Sequence, residues 1–151
     1  MLDLESAIKK GIKQTCRDML APMPIVGVKG MRMVARAIVK WPKKVGVQKA
    51  NFYLAQMVRM QEEIGTGGGG FRYIFAAFLD ESSILINKPE LKEFSKEMTE
   101  IGDLWRDFAV NASRVYKKRS NQNDVYESLS KQLFQIADLE ESFFKRLKKV
   151  I

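Results

Sequence analysis

Residues 90–118 read ELKEFSKEMTEIGDLWRDFAVNASRVYKK, the longest regular apolar pattern in the chain. Its apolar residues alternate at spacings of three and four, which is typical of a helix that packs lengthwise against a second long helix. We therefore predict one long helix over this segment. The apolar positions are Leu91, Phe94, Met98, Ile101, Trp105, Phe108, Ala112 and Val115.

A matching apolar row in residues 124–150 supplies the partner helix. The residues at 120–123 are polar and predict the turn between the two helices. We therefore expect a long C-terminal antiparallel helical hairpin. The matching row consists of Leu129, Leu133, Ile136, Phe143 and Leu147.

Four further helices are predicted upstream, and the four prolines of the chain fall between the predicted helices. The third helix carries many apolar residues and is expected to be buried on most sides, and the fourth is expected at the centre of the fold. No segment alternates as a β-strand does, so we predict an all-α, single-domain bundle of about six helices over residues 1–151. The predicted helices cover 4–20, 28–40, 48–64, 70–86, 90–118 and 124–150.

The chain contains no histidine and one cysteine, Cys16. It therefore lacks the residues for a Ser–His–Asp or Cys–His site, for the usual zinc sets and for the histidine-containing di-iron motif. An all-carboxylate magnesium or calcium site remains open, although no segment matches a calcium-loop spacing. We predict no catalytic residue, no metal, no cofactor and no enzymatic activity for this chain alone. The Asp80-Glu81 pair is either a solvated helix edge or an acid–base pair.

Cys16 falls on the apolar stripe of the first predicted helix, together with Ile8 and Ile12. A cysteine on a buried face is usually a small hydrophobic residue, and the alternative is a nucleophile. No internal disulfide can form from one cysteine, which favours a reducing, cytoplasmic location. The longest apolar run is too short to span a bilayer, and the N-terminus does not resemble a signal peptide.

A glycine-rich segment, Gly65-Thr66-Gly67-Gly68-Gly69-Gly70-Phe71-Arg72, joins two predicted helices. Ordered glycines are costly in backbone entropy, so the segment requires positive φ angles or a close approach to the backbone. The free N–H groups at a helix start favour an anion, and a nearby arginine adds a forked charge. The alternative is a tight corner between two helices. The candidate ligand-binding residues are Thr66, Gly67, Gly68, Gly69, Gly70 and Arg72.

The net charge of +8 lies entirely in the first fifty residues. Basic residues line one side of the second predicted helix, which suggests a face for an acidic partner; the alternative is that the charge only aids solubility. The candidate partner-binding residues are Lys29, Arg32, Arg36 and Lys40.

Two segments, GTGGGGFRY at 65–73 and IGDLWRDFA at 101–109, together with Phe78-Leu79, resemble one helical family. It is the C-terminal domain of butirosin-biosynthesis protein H-like proteins, and the resemblance covers most of the chain. In those proteins a cysteine-peptidase-like domain precedes the helical part. The family's named member is an aminoacyltransferase that moves an acyl group from an acyl carrier protein to an aminoglycoside amine.

The resemblance implies a non-catalytic binding or accessory domain of a cysteine-dependent acyltransferase-like system. Its glycine segment would complete an acyl or pantetheine site, and its partner would be an acyl carrier protein or a cysteine-peptidase-like domain. Two alternatives stay open: a nucleic-acid or anionic-membrane binder that uses the basic helix, and a structural helical bundle, either as a single chain or as a homodimer.

The second segment of the resemblance carries its own expectations. Asp103 and Arg106 are three apart and can pair along the helix. Trp105 lies on the apolar seam and is expected in the core. Gly102 costs about 1 kcal/mol against alanine in mid-helix, which predicts the close approach of another helix or a ligand.

Overall fold

The computed structural model describes residues 3–117 and 122–151. This part of the chain contains seven α-helices and no strand, so the predicted all-α fold is confirmed. A single 3-10 turn, Gly69–Phe71, precedes the fifth helix. The helices are α1 (Leu4–Met19), α2 (Gly27–Ile38), α3 (Trp41–Val45), α4 (Val47–Glu62), α5 (Arg72–Leu85), α6 (Glu90–Tyr116) and α7 (Gln122–Val150).

The helix that the sequence did not predict is α3. Pro42 was expected to end the second helix, and α2 does end at Ile38. The same proline then stands in the first turn of α3, where its missing N–H leaves no helical hydrogen bond unmade. A proline between two helices can therefore end one and begin another within a few residues.

The two longest helices form the predicted antiparallel hairpin. Glu97 of α6 pairs with Arg146 near the end of α7, whereas Trp105, further along α6, contacts Glu140, which comes earlier in α7. Residues 118–121 lie outside the described part of the chain, so the turn predicted at 120–123 is covered only where α7 begins, at Gln122.

The hairpin supplies most of the large core side chains, as the periodic rows predicted. All the α6 seam positions are buried except Phe94, which is half-buried, and all five predicted α7 positions are buried. In α1 the predicted stripe of Ile8, Ile12 and Cys16 is buried, whereas Leu4, one turn before Ile8 on the same face, is exposed. The helices α1 and α2 pack on α7, and α4 and α5 pack on α6.

Two predictions about burial were wrong. The third predicted helix, α4, buries one stripe that includes Leu54 and Val58, and it leaves Phe52 and Met60 exposed. The fourth, α5, is peripheral: it packs on α6, and its Ile84 is 78% exposed. The physical reason is that the hairpin occupies the centre, so each shorter helix meets the core along a single face.

No helix among the described residues combines the length and apolar composition that crossing a membrane requires.

Candidate functional site

The glycine turn, residues 65–71, connects α4 to α5 through a left-handed backbone. Gly69, Gly70 and Phe71 have φ angles of 57°, 55° and 71°, a region that L-residues with a side chain rarely adopt. Phe71 occupies this conformation although it is not glycine, and its ring is exposed. Gly69 and Gly70 have positive φ angles, so the backbone conformation of this turn is the reason for glycine at these two positions.

The glycine turn also packs closely on α6. A Cβ atom on Gly102 would lie 2.9 Å from Cε1 of Tyr73, and a Cβ on Gly69 would lie 3.4 Å from the carbonyl oxygen of Gly102. The close approach predicted at Gly102 is confirmed, and the neighbour is the ring of Tyr73. The two segments that carry the family resemblance therefore contact each other.

Two N–H groups in the middle of the glycine turn already have side-chain acceptors inside the protein. The Gly69 N–H donates to Oε1 of Glu62 at 3.1 Å, and the Gly68 N–H donates to the hydroxyl of Thr66 at 3.2 Å. The Thr66 hydroxyl donates to the carbonyl oxygen of Gln61. The anion at this turn is thus the protein's own carboxylate, which an external anion would have to displace from Gly69.

Arg72 was expected to offer its fork to a ligand, and the structure corrects that expectation. Its Nε donates to Oε1 of Glu140 at 2.7 Å, its Nη2 donates to Oε2 at 2.8 Å, and its Nη1 donates to the Gly70 carbonyl at 2.6 Å. The guanidinium carbon lies 5.0 Å from the ring centroid of Trp105. A carboxylate inside the protein satisfies the fork that was predicted to bind an anion.

Glu140, the partner of Arg72, was not predicted as a site residue. It is completely buried, and its Oε1 also accepts from Nε1 of Trp105 at 2.8 Å. The sequence carried a signal: Glu140 lies four residues after Ile136 and three before Phe143, on the core-facing row of α7. A charged residue on an apolar seam requires a buried partner.

The predicted pair within α6, Asp103 with Arg106, was wrong. Asp103 accepts from the Tyr73 hydroxyl at 2.7 Å, and Arg106 lies over the Tyr73 ring at 4.8 Å from its centroid. Arg106 also approaches Glu62, with 3.9 Å between Nε and Oε2. Burial and the hydrogen bond to Asp103 raise the pKa of Tyr73 to about 12.

Beside the glycine turn an open groove of about 500 Å³ runs between α1, α5, α6 and α7. Its lining is apolar except for the Thr15 hydroxyl and for Arg72, whose charge is paired with Glu140. The sequence did not predict this groove, because its walls come from four helices that are distant along the chain. The lining residues are Thr15, Met19, Gly70, Phe71, Arg72, Ile74, Phe75, Phe78, Met98 and Phe144.

The glycine turn and the groove both lie within a segment that matches a known family. A family described as a domain of unknown function, DUF4872, matches residues 1–147. The chain belongs to this family. No curated protein and no solved structure matches it.

The basic face of the DUF4872 domain keeps three of its four predicted members in solvent. Arg32 is the exception, because its Nη2 lies 2.7 Å from Asp138 and 2.6 Å from Glu141 on α7. Those hydrogen bonds raise the pKa of Arg32, and Glu141, which also accepts from Lys145, has a lowered pKa. The exposed members are Lys29, Arg36 and Lys40.

The burial of Cys16 and the exposure of the Asp80-Glu81 pair bear on the alternatives that the sequence left open for these residues. Cys16 is completely buried, and burial raises the pKa of its thiol to about 11, which agrees with a small hydrophobic residue of the core rather than a nucleophile. Glu81 is exposed and Asp80 is partly exposed, which agrees with a solvated helix edge. Among the described residues no three metal-ligating side chains come together.

Proposed function

We propose that this DUF4872 domain is a non-catalytic binding domain that accommodates the acyl part of an acyl or acyl-pantetheine ligand in its groove. It works beside a cysteine-dependent, acyltransferase-like partner. The observation that carries the proposal is the open apolar groove next to the glycine turn. Pockets of this size with an almost wholly apolar lining are typical of small-molecule sites.

The groove fits a hydrocarbon chain better than a polar ligand. Four phenylalanines line it, and Ile74 at its edge is 53% exposed; the phenylalanines are Phe71, Phe75, Phe78 and Phe144. Transferring a methylene group from water to such a surface contributes about 0.8 kcal/mol. An unbranched acyl chain presents a row of methylenes, so its affinity should rise with chain length until the groove is filled.

The charges at the glycine turn make the acyl part the better-supported half of the ligand. Arg72 is paired with Glu140, and the Gly69 N–H is bonded to Glu62. A phosphate of the pantetheine arm would gain these donors only by displacing a carboxylate. The predicted contacts of Thr66 and Gly67–Gly70 with an anion therefore remain a second, dependent part of the proposal.

The cysteine-dependent partner follows from the resemblance to butirosin-biosynthesis protein H-like proteins. The two most specific segments of the resemblance contact each other and therefore form one part of the fold. Cys16 is buried and the chain has no histidine, so the nucleophile of any acyl transfer would come from the partner.

The first test compares ligands that differ only in the acyl chain. Thermal unfolding of the wild type is followed with phosphate, pantetheine, coenzyme A and octanoyl-coenzyme A at moderate salt. Only octanoyl-coenzyme A should raise the melting temperature. An equal increase with unacylated coenzyme A would indicate an anion site instead, and no increase with any ligand would refute the proposal.

A matched pair of variants locates the site. Ile74→Asp places a charge at the edge of the groove, while Ile84→Asp places the same charge on the same helix away from the lining. The first should abolish the increase caused by octanoyl-coenzyme A, and the second should retain it. Equal loss in both variants would place the ligand elsewhere.

The basic face that was predicted to dock an acidic partner is separate from the groove. Lys29 and Arg36 on α2, with Lys40 two residues after it, are exposed and carry the charge that an acidic protein such as an acyl carrier protein would require. This acidic partner stays a prediction, and the proposed ligand site does not depend on it.

A further inference from the structure

The net positive charge of the chain lies in a segment shorter than its first fifty residues. Residues 19–61 contain no aspartate or glutamate and eight lysines or arginines, while the remaining residues carry eighteen of each sign. The entire net charge of +8 therefore lies between the end of α1 and the end of α4. The eight residues are Lys29, Arg32, Arg36, Lys40, Lys43, Lys44, Lys49 and Arg59.

The solvent side of α2 and of the two residues after it presents this charge in one row. Lys29, Met33, Arg36 and Lys40 follow one another at spacings of four, three and four, and all four are exposed. None of the three cations forms an ion pair with any residue in 3–117 or 122–151. The row spans about 16 Å and has an apolar side chain within it.

The loop before α2, residues 20–26, adds exposed aliphatic side chains at the end of this row. Met23, Ile25 and Val26 are exposed, and Ile25 is 64% exposed. The loop is fixed against α2, because a Cβ on Gly30 would lie 2.8 Å from the backbone carbon of Ile25. Lys29 Nζ also donates to the Pro22 carbonyl at 3.2 Å. The loop thus keeps exposed aliphatic side chains in a fixed position next to the basic row of α2.

We propose that loop 20–26 and the exposed row of α2 dock onto an anionic lipid bilayer. Met23, Ile25 and Val26 enter the boundary between headgroups and acyl chains, and the cations of the row meet the lipid phosphates. Peripheral binding of this kind combines buried apolar area with attraction to anionic headgroups, and neither contribution alone is strong.

The composition of the surface favours a bilayer over two other anionic partners. Nucleic-acid surfaces without sequence preference use aromatic side chains on which bases stack, and the exposed apolar residues of this surface are aliphatic. An acidic protein surface would pair with the cations, but it would not bury the three protruding aliphatic side chains in an apolar environment. A bilayer satisfies both groups.

This surface shares no residue with the groove of the proposed function. It lies close to it, since Met19 lines the groove and a Cβ on Gly27, at the end of the loop, would lie 2.3 Å from the Met19 carbonyl oxygen. Both ends of loop 20–26 therefore lie beside the groove. The two proposals can fail separately, because their variants affect different side chains.

The test is co-sedimentation with vesicles of phosphatidylcholine, alone or in an equimolar mixture with phosphatidylglycerol. The wild type should sediment with the mixed vesicles and not with phosphatidylcholine alone. The apolar variant Ile25→Asp and the charge variant Arg36→Glu/Lys40→Glu should each lower the partition coefficient by ~10-fold or more. Met23→Asp is a second apolar variant in case Ile25→Asp does not fold, which circular dichroism checks.

Matched controls decide between a surface and a general charge effect. Ile84→Asp and Lys92→Glu/Lys149→Glu make the same changes at exposed positions on α5, α6 and α7 and should bind like the wild type. The proposal would be overturned if these controls lost vesicle binding as much as the test variants do, or if both folded apolar variants bound like the wild type. Tighter binding to single- or double-stranded DNA than to vesicles, at equal phosphate concentration, would also overturn it. If the wild type did not sediment with the mixed vesicles, the proposal would be wrong and an acidic protein would be the better candidate partner for this surface. Ile25→Asp should retain its thermal response to octanoyl-coenzyme A.

Discussion

Arg72 and Glu140 form an ion pair with two hydrogen bonds, of 2.7 and 2.8 Å, between the first residue of α5 and the middle of α7. Glu140 is completely buried, and Trp105 of α6 donates to the same carboxylate. The pair therefore joins three helices at the point where the glycine turn ends.

Removing Glu140 should leave the largely buried Arg72 guanidinium without its carboxylate and the Trp105 N–H without its acceptor. We expect Glu140→Ala to lower the free energy of unfolding by about 3 kcal/mol or more, because breaking a buried pair costs far more than an exposed pair contributes. Urea unfolding measures the change. Glu127→Ala, at an exposed position of the same helix, should change it by less than about 0.5 kcal/mol. Equal stability of the two variants would contradict a structural role for the pair.

The contact between Gly102 and Tyr73 predicts opposite effects of one substitution at two glycines. Gly102→Ala forces a methyl group against the ring of Tyr73 and should destabilise by about 1–3 kcal/mol. Gly11→Ala, in α1, has no neighbour within 4 Å of the added atom and should stabilise by about 0.5–1 kcal/mol. In a Tyr73→Ala background the penalty of Gly102→Ala should largely disappear. Its persistence there would assign the penalty to another contact.

We expect the Glu62 carboxylate to exclude an external anion from the glycine turn, because it already accepts from the Gly69 N–H. In Glu62→Ala the Gly69 N–H loses its carboxylate, so phosphate should raise the melting temperature of this variant more than that of the wild type. Glu63→Ala removes the neighbouring exposed carboxylate and should respond as the wild type does. An identical response of all three proteins would remove the anion part of the proposed function and leave the acyl groove untouched.

The buried thiol of Cys16 predicts a loss of stability at alkaline pH. Its pKa is raised from 9.0 to about 11, chiefly by burial, so between these values the unfolded chain loses the proton while the folded protein retains it. This contribution to the free energy of unfolding is fully present below pH 9 and falls as the pH rises to about 11, by an amount on the order of 2 kcal/mol. Urea unfolding should show a steeper fall for the wild type than for Cys16→Ala, and parallel curves would contradict the predicted linkage.

The sequence determined the long α6–α7 hairpin, but not that this hairpin occupies the centre of the fold, a place that the apolar composition of α5 wrongly assigned to that helix. The alternating spacings of the α6 row and its α7 counterpart are local properties, and a continuous apolar seam has few ways to be buried other than against another seam. The burial of Cys16 followed from the same periodicity in α1. The position of Glu140 was also available, because a carboxylate on the α7 row implies a buried partner, although the sequence does not identify that partner as Arg72.

Only the tertiary structure decided how the charged and glycine residues are used. Arg72 and Glu140 are 68 residues apart, and the walls of the groove come from four helices. Arg32 was expected in a solvent row, and α7 neutralises it. An arginine fork has the same chemistry whether its carboxylate belongs to a ligand or to the protein. Periodicity records which face of a helix is buried; the partner of a polar group depends on which helices the fold brings together.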